Sequence, residues 1–511
     1  MNYKKIVTSR IFYTLLILGI QVYWAVLLIT RLSGYSIYIH SILQLLSIVM
    51  MLYIINRNQN PGYSIGWIAL IALLPLFGGL LYLLYGNKKT SRRMQVALSI
   101  AHKRMQECME ADGDVLEEIG MLDRRMASMC RYLYKTSGYP AYRKTETKYY
   151  SSGESMFPDM MEAIRNAKHF VFLEFFIVES GEMWDSMLEL LRHKAEAGVE
   201  IRMIYDDFGC WSRLPRNYYR WMEALHPNIH CLAFNPIVPF WTLVMNHRCH
   251  QKALIVDGSV GFTGGINLAD EYINKTVRFG YWKDSGIRLT GEGVWNLTSM
   301  FLELWSAFRG REETPEDYRP HTYHPKDFGG AGFVQPFADT PLDDEPVARN
   351  VYMDILAQAK RYVYIFTPYL ILDHGLLSAL TLAAGRGVDV RIVTPAIPDK
   401  KLVFRLTRSN YEPLLQGGVR IYEFTPGFIH AKSYICDDEF GVVGTVNMDY
   451  RSLYLHFEDA VFMYQTESLA DMYQDAKNTF EISREIFLKD CKTNLFGRLF
   501  DAVFRLVSPL V

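Results

Sequence analysis

The pattern His-x-Lys-x4-Asp occurs twice in the chain, and this repeat constrains the fold more than any other feature of the sequence. The first copy occupies residues 250–257 and the second, 180 residues later, occupies residues 430–437. Each copy leads into a turn of small residues that ends at an asparagine, Asn267 in the first and Asn447 in the second. A single His-x-Lys pair arises by chance, whereas two copies with the same flanks indicate a duplicated half-domain. Such a duplication would bring two histidines and two lysines to one site.

The two halves also match outside this pattern. Residues 166–173 resemble 358–365, and residues 197–202 resemble 386–391, in the same order relative to the repeat. In each stretch a helix ends and a strand rich in aromatic or β-branched residues begins, which predicts mixed or parallel sheets covered by helices. We therefore predict an α/β fold in which two pseudo-symmetric βα sandwich halves share one active site.

Three apolar runs precede the duplicated region, at about residues 11–30, 37–55 and 65–85. Each is about 20 residues long, which is roughly what a helix needs to cross ~30 Å of hydrocarbon. No small-residue cleavage site follows the first run, as one would in a signal peptide. We therefore predict N-terminal transmembrane helices from these runs.

The orientation of these runs leaves two alternatives. Clusters of basic residues precede the first run and follow the third, and the positive-inside rule places both clusters in the cytoplasm. That placement requires an even number of crossings, which conflicts with three spans. Either the third run, which contains Pro75, is re-entrant, or it spans and the N-terminus faces outwards. Both alternatives place the protein in the cell membrane with its catalytic body on the cytoplasmic side.

Changes in composition divide the sequence into five predicted segments. They are a membrane-embedded region (1–90), a helical connector (91–137), a first half (138–313), a second half (314–490) and an amphipathic tail (491–511). The tail places apolar residues and arginines at helical spacing, so it either lies in the membrane interface or packs on the protein.

Composition disfavours several classes of protein. The net charge of −1 gives no argument for a nucleic-acid partner, and seven cysteines without a Cys-x-x-Cys pair argue against a disulfide framework. His247, Cys249 and His250 invite a zinc interpretation. However, Lys252 would lie within that cluster, and no second Cys/His pair has suitable spacing nearby. We therefore expect neither a metal ion nor another cofactor.

The repeated residues suit covalent chemistry on a phosphodiester. One histidine can attack phosphorus to form a phospho-histidine, and the other can protonate the leaving alkoxide as a general acid. Lys252 and Lys432 would supply positive charge to the phosphoryl oxygens, and Asn267 and Asn447 would donate further hydrogen bonds. No metal ion is needed if two lysines supply the charge.

The candidate catalytic residues are those of the two patterns: His250, Lys252, Asp257, His430, Lys432 and Asp437. Within this set Asp257 and Asp437 lie at a strand end before a turn, which favours tying down the turn over acid–base chemistry. Each histidine also needs an acceptor for its second ring nitrogen. Asp284 follows the first copy and Glu458 follows the second, and we predict that these carboxylates orient the histidines. His456 is interpreted as a packing residue.

The doubled pattern, with its trailing Gly-Gly or Gly-Thr and Asn, resembles the phospholipase D superfamily, and the wider sequence resembles the bacterial cardiolipin synthases within it. The matching stretches include residues 60–61, 83–86, 205–209, 246–248, 262–267, 398–399, 408–409, 427–432, 444–449 and 451–452. The resemblance covers nearly the whole chain. Cys249 and Gln251 stand where that family usually has Asn and Arg, and His456 replaces a usual Asn.

This resemblance implies transfer of a phosphatidyl group from one phosphatidylglycerol to another, which gives cardiolipin and glycerol. It implies that His250 and His430 are the nucleophile and the acid, and that the partners are phosphatidylglycerol and membrane lipid. The order of the two histidines stays open, with family analogy favouring His250 as the nucleophile.

Three other functions are weighed against this one. The main alternative is a membrane-bound phosphodiester hydrolase of the phospholipase D type, in which water replaces the lipid acceptor. A nuclease is disfavoured because the sequence has no basic stripe interleaved with aromatic residues. A lipid-binding scaffold without chemistry is disfavoured because both copies of the pattern are intact.

Overall fold

The computed structural model describes residues 36–57, 61–86, 92–109, 113–236, 247–310, 314–343, 345–492 and 494–507, with Gly19 and Tyr23 as isolated positions. The chain divides into two compact units. The first comprises Met1–Lys89, Ile237–Met245 and Leu495–Val511, and the second comprises Thr90–Pro236 and Asn246–Asn494. The segment predicted as a connector, residues 91–137, therefore belongs to the same unit as the two halves.

The helices are α1 (Ser36–Ile55), α2 (Pro61–Leu73), α3 (Pro75–Leu81), α4 (Arg92–Gln106), α5 (Gly113–Leu122), α6 (Arg124–Ser137), α7 (Gly153–Asn166), α8 (Glu182–Glu196), α9 (Tyr218–Leu225), α10 (Val294–Arg309), α11 (Pro320–Tyr323), α12 (Val347–Gln358), α13 (His374–Gly385), α14 (Lys401–Ser409), α15 (Tyr411–Gln416), α16 (Tyr450–Tyr454), α17 (Ser468–Glu481) and α18 (Leu495–Val507). The strands are β1 (Thr145–Tyr150), β2 (Phe170–Phe175), β3 (Glu200–Asp206), β4 (Ile229–Phe234), β5 (Arg248–Cys249), β6 (Ala253–Val256), β7 (Val260–Gly264), β8 (Tyr281–Lys283), β9 (Gly286–Gly291), β10 (Phe333–Asp339), β11 (Tyr362–Phe366), β12 (Asp389–Pro395), β13 (Arg420–Phe424), β14 (Gly427–Ile429), β15 (Ser433–Cys436), β16 (Phe440–Gly444), β17 (His456–Tyr464) and β18 (Ser483–Ile486).

The described part of the first unit is helical. Helix α1 coincides with the second predicted apolar run, whereas the first run lies outside the described residues except at Gly19 and Tyr23. The third run is not one continuous helix, because α2 ends at Leu73 and Pro75, which lacks an N–H group, begins α3. Among the described residues no helix combines the length and the hydropathy that a membrane crossing requires, so the predicted spans are not confirmed.

The second unit contains two mixed sheets that repeat one design. The first has the order β1-β9-β7-β6-β2-β3-β4, and the second has the order β10-β17-β16-β15-β11-β12-β13-β18. In the first sheet β2, β3 and β4 are parallel, as are β11, β12 and β13 in the second, and the other neighbours in both orders are antiparallel. The predicted α/β fold of two pseudo-symmetric halves is confirmed.

Matching helix ends explain why the paired sequence stretches resemble each other. Helix α8 is followed by Gly198 at φ 94° and then β3, and α13 is followed by Gly387 at φ 92° and then β12. A positive φ is strained for residues with a Cβ atom, so glycine stops both helices and turns the chain into the next strand.

The halves share one core and exchange short strands. Phe172 of the first half and Tyr364 of the second belong to one continuous cluster of buried apolar side chains, in which helix α10 also lies. Strand β5 of the first half pairs with β17 of the second, and β8 of the first half pairs with β14 of the second. These two exchanged pairs immediately precede the repeated histidines or their partners, so they set the geometry of the site.

The aspartates that close the two patterns hold the backbone. Asp257 has φ 49°, and its carboxylate accepts hydrogen bonds of 2.8 Å from the backbone N–H groups of residues 168–170. Asp437 has φ 55° and accepts bonds of 2.7–2.8 Å from residues 360–362 in the same way. Each carboxylate therefore ties the turn after a hairpin strand to the start of β2 or β11, which supports a structural role rather than acid–base chemistry.

Candidate active site

The two repeated histidines are held by the backbone of the opposite half. His250 follows β5, and its N–H donates to the carbonyl oxygen of Phe457 at 2.8 Å. His430 follows β14, and its N–H donates to the carbonyl oxygen of Lys283 at 2.7 Å. Because β5 and β14 pair with strands of the other half, the duplicated motifs meet where the halves join.

Each histidine ring is oriented by a carboxylate of the opposite half. His250 Nδ1 lies 2.7 Å from Glu458 Oε2, and His430 Nδ1 lies 2.7 Å from Asp284 Oδ2. Both carboxylates are fully buried, so an imidazole N–H is the donor that satisfies them. A proton on Nδ1 leaves the lone pair on Nε2, the nitrogen available for chemistry.

Burial and neighbouring cations keep both rings neutral. Desolvation lowers the pKa of His250 well below its ordinary value, and Lys252 and Lys432 lower it further. Desolvation and then Lys432 lower the pKa of His430 to about 4, against the opposing effect of Asp284. At neutral pH both Nε2 atoms therefore carry lone pairs until a phosphate anion offsets the lysine charges.

Both motif lysines are buried beside the histidines. Lys252 Nζ donates to the carbonyl oxygen of His250 at 2.7 Å, and Lys432 Nζ donates to that of His430. An ammonium group has three N–H donors, so each lysine retains donors for a phosphate oxygen. Burial lowers the pKa of both amines, that of Lys432 to about 7. An anionic substrate would therefore favour the charged form of these lysines.

The predicted asparagines lie in different surroundings. Asn267 Oδ1 accepts a bond of 2.9 Å from the backbone N–H of Ile177, and its Nδ2 donates to the Tyr272 hydroxyl at 2.8 Å. Asn447 is also buried, but among the described residues its Oδ1 has no hydrogen-bond partner. Asn267 is thus part of the framework that holds the turn after β7. Asn447 Oδ1, in contrast, can still accept a hydrogen bond.

One position distinguishes the two copies of the turn. A Cβ atom on Gly265 would lie 1.9 Å from Asp284 Oδ1, so only glycine leaves room for that carboxylate. The equivalent residue of the second copy, Thr445, donates its hydroxyl proton to Glu458 Oε2. The Gly-Gly and Gly-Thr sequences are therefore two ways to accommodate the histidine-orienting carboxylates.

A second set of buried carboxylates lies behind the histidines, and the sequence patterns did not reveal it. Cys249 Sγ donates to Glu174 Oε1 at 2.7 Å, and burial raises the pKa of Glu174 to about 8. Burial also raises the pKa of Asp459 to about 6, although this group accepts from Thr263 and from the backbone N–H of Lys252. The lone carboxylate in the otherwise apolar strand β2 was the signal that could have identified Glu174.

The structure also bears on the metal-binding question. Of the trio considered from sequence, Cys249 contacts Glu174 and His247 Nδ1 lies 3.1 Å from the carbonyl oxygen of Leu455, so these side chains have other partners. Among the described residues, His250, His456 and Glu458 each offer one ligand atom within 4.8 Å of the others. A cation there would compete with His250 for Glu458.

His456 lies beside the first repeated histidine, its ring 5.6 Å from that of His250. Both of its ring nitrogens are buried without a hydrogen-bond partner in the described part of the chain. Burial lowers the pKa of this ring to about 3, so it stays neutral at physiological pH. Its burial and neutrality are consistent with the predicted packing role, and its Nδ1 also lies 3.6 Å from Glu458 Oε1.

Comparisons with known proteins identify the family of both halves. A family model described as "Cardiolipin synthase, PLD-like domain" matches residues 160–277 and 352–481, the two halves of the site. A second model, described as "Phospholipase_D-nuclease N-terminal", matches residues 45–87.

Three similar proteins illustrate the extent of the match. An uncharacterized protein of Streptococcus mutans is 42% identical over 90% of this chain and 99% of its own length. A cardiolipin synthase of a Geobacillus species is 33% identical over 92% of this chain and 93% of its own length. The crystal structure of phosphatidylserine synthase from Haemophilus influenzae superposes with a TM-score of 0.56 at 15% identity, covering 75% of this chain and 100% of that chain. That structural likeness supports the fold alone.

The Gly265–Asp284 contact predicts that Gly265→Ala displaces the carboxylate and releases the His430 ring. Misplacing a catalytic group by about 1 Å lowers activity by about 100-fold. The matched change, Thr445→Ala, removes the hydroxyl that donates to Glu458 and accepts from the Asp459 N–H, but it adds no atom that displaces the carboxylate. We expect about a tenfold loss. Initial rates on a phosphodiester substrate, with thermal unfolding as the folding control, measure both. Equal losses in the two variants would contradict this interpretation.

The depressed pKa of Lys432, about 7, predicts how catalysis depends on pH. The ammonium form is lost as pH rises through that value, so kcat/KM, which reports the free enzyme, should decline above about pH 7. The bound phosphodiester anion favours the ammonium form, so kcat should decline only at higher pH. Lys432→Arg, whose guanidinium stays charged, should remove the alkaline decline. A wild-type kcat/KM that is constant from about pH 6 to pH 9 would contradict the prediction.

Proposed function

We propose that the chain, which belongs to the cardiolipin synthase family with phospholipase D-like domains, transfers a phosphatidyl group from one phosphatidylglycerol to another. The protein is a phosphatidyltransferase, and the products of this reaction are cardiolipin and glycerol. The observation that carries the proposal is the pair of buried histidines, each with a carboxylate on Nδ1 and a lysine beside it.

The first half-reaction forms a covalent intermediate. Nε2 of one histidine, which we assign to His250, attacks the phosphorus of phosphatidylglycerol as the bond from phosphorus to the glycerol oxygen breaks. When the phosphodiester anion binds, His430 takes up a proton on Nε2 from solvent, and it gives this proton to the leaving glycerol alkoxide and becomes neutral again. Lys252 and Lys432 offset the charge on the phosphoryl oxygens in the transition state.

The second half-reaction reverses these roles. The neutral His430 accepts the proton of a glycerol hydroxyl on a second phosphatidylglycerol, and the resulting oxygen attacks phosphorus. The bond between phosphorus and His250 Nε2 breaks, cardiolipin leaves, and His430 releases the accepted proton to solvent, so that both rings return to their neutral starting state. We assign Asn447 to the substrate, where its amide N–H can donate to the phosphate and its unused Oδ1 can accept from a glycerol hydroxyl, and we assign Asn267 to support of the turn.

We also propose that the protein works at the cell membrane with its catalytic unit on the cytoplasmic side. Helix α1 exposes apolar side chains along its length, including Ile42, Leu45 and Val49, which a bilayer would cover. Helix α18 exposes Phe496 and Leu499 and also carries arginines, as interfacial helices do. Lipid burial of these side chains would hold the enzyme where its substrate is concentrated.

Product analysis tests the proposed reaction. Full-length protein in liposomes is supplied with phosphatidylglycerol labelled in the headgroup glycerol and in the acyl chains. Wild-type protein should release labelled glycerol in a one-to-one ratio with new cardiolipin, and His250→Ala and His430→Ala should abolish both products. Phosphatidic acid as the sole lipid product would instead identify a hydrolase of the phospholipase D type. Unchanged turnover in either histidine variant would contradict the mechanism.

A further inference from the structure

We propose that the catalytic unit carries its own docking surface for an anionic lipid bilayer, arranged around the two histidines. This inference rests on the proposed function, because it concerns how a membrane lipid reaches the buried site. The surface, here called the lipid rim, consists of α14 with the loop before it, the loop of residues 207–217 and the loop of residues 274–280.

Helix α14 and its preceding loop combine apolar exposure with positive charge. Ile397 and Leu402 are large apolar residues that remain 41% and 59% exposed. The cations on this segment are Lys400, Lys401, Arg405 and Arg408, and Asp399 is the single acid between residues 399 and 409. Apolar side chains flanked by lysine and arginine are typical of a segment that lies at a bilayer surface.

The loop of residues 207–217 presents a second apolar edge. Phe208 and Trp211 are both more than two-fifths exposed. The Arg248 guanidinium lies 5.1 Å from the centre of the Phe208 ring. An exposed tryptophan with a polar N–H group is suited to the headgroup layer, where one part of the ring is apolar and another contacts water.

Packing contacts place these two edges on either side of the histidines. Lys400 lies 5.3 Å from the centre of the Tyr369 ring, which neighbours Phe428, which in turn lies 6.0 Å from the His430 ring. On the other side, the Phe176 ring lies 5.1 Å from the His250 ring.

The loop of residues 207–217 packs against Phe176, on the His250 side of the site. A Cβ atom on Gly209 would lie within 2.0 Å of the Phe176 carbonyl oxygen, so the loop contacts this residue directly. Each exposed edge is therefore separated from a catalytic histidine by one or two aromatic residues.

The loop of residues 274–280 contacts both the loop of residues 207–217 and the segment before α14. Glu179 accepts hydrogen bonds from both Arg213 and Arg278, which links the loop of residues 207–217 to that of residues 274–280. A Cβ atom on Gly280 would lie 3.2 Å from Ile397 Cδ1, which links the same loop to the α14 edge. Val277, directly before the first of these two links, is 75% exposed.

Charge and access favour a bilayer as the occupant over a protein partner. Lys275 and Arg278 are paired with Glu182 and Glu179, so the excess positive charge of the rim lies on the α14 segment, where four cations stand beside one acid. That excess complements a surface rich in phosphate groups. His250 and His430 are at most 8% exposed, so a lipid phosphate has to enter between the edges while its acyl chains stay in an apolar phase. Contact of the rim with the bilayer provides that path without removing the lipid from the membrane.

Two leucines of similar exposure provide a matched pair of variants. Leu402 on α14 is 59% exposed, and Leu382 on α13 is 63% exposed. Leu382 lies in the last turn of α13, which leads to the start of β12, so it is at the opposite end of the sheet from the rim.

Leu402→Ser should lower the rate on phosphatidylglycerol in bilayers at least tenfold, and the rate on monomeric dihexanoyl-phosphatidylglycerol by no more than about twofold. Leu382→Ser should change neither rate. Equal behaviour of the two variants, or equal loss on both substrates, would overturn the proposal.

A spectroscopic measurement tests the same surface independently of the reaction. Leu402→Trp and Leu382→Trp each add one tryptophan to the full-length protein in liposomes that contain acyl-brominated phosphatidylglycerol. We expect bromine to quench at least half of the fluorescence added at position 402 and little of that added at 382. An added signal at 402 that is unquenched would overturn the docking surface, even if cardiolipin is formed. Quenching at 402 with phosphatidic acid as the sole product would uphold it and reject the proposed transfer.

Discussion

Two hydrogen bonds between an imidazole and a carboxylate, each joining one half of the catalytic unit to the other, determine the geometry of the site. Glu458 of the second half orients His250 of the first, and Asp284 of the first half orients His430 of the second. Neither half alone holds a complete histidine–carboxylate pair. The exchanged strand pairs and the continuous apolar core keep the halves in register, so packing far from the substrate sets the positions of the reacting nitrogens.

The same burial that fixes these pairs also sets their charge. Buried lysines lower the pKa of both histidines, so the resting site holds neutral rings beside cations that have few partners. A bound phosphodiester anion compensates the positive charge of the two lysines. It therefore stabilises their ammonium groups and allows one histidine ring to take up a proton. Substrate binding and proton transfer are therefore coupled through Lys252 and Lys432. A lipid rim around the histidines would supply that anion while its acyl chains remain in the membrane.

The parts of the structure that repeat could be predicted from the sequence, and those that differ between the copies could not. The doubled pattern predicted two halves and one shared site, and the α/β fold is confirmed. The sequence did not predict that each histidine is oriented by the carboxylate of the other half. His250 and Glu458 are 208 residues apart, whereas Asp284 is much closer to His250 along the chain. Glu174 was missed although it is the single acid of the apolar strand β2, because it lies outside the repeated pattern. The predicted transmembrane helices are not confirmed in the described residues, where the third apolar run is interrupted at Pro75.

The most direct test of the exchanged pairs is proton NMR of the downfield imidazole N–H resonances in full-length protein. Two such resonances are expected, and His250→Ala and His430→Ala should each remove one, which assigns them. Glu458→Gln should then shift the resonance of His250 and leave that of His430 in place, and Asp284→Asn should do the reverse. If Glu458→Gln instead shifts the resonance of His430, the carboxylates orient histidines of their own half and the account given above is wrong.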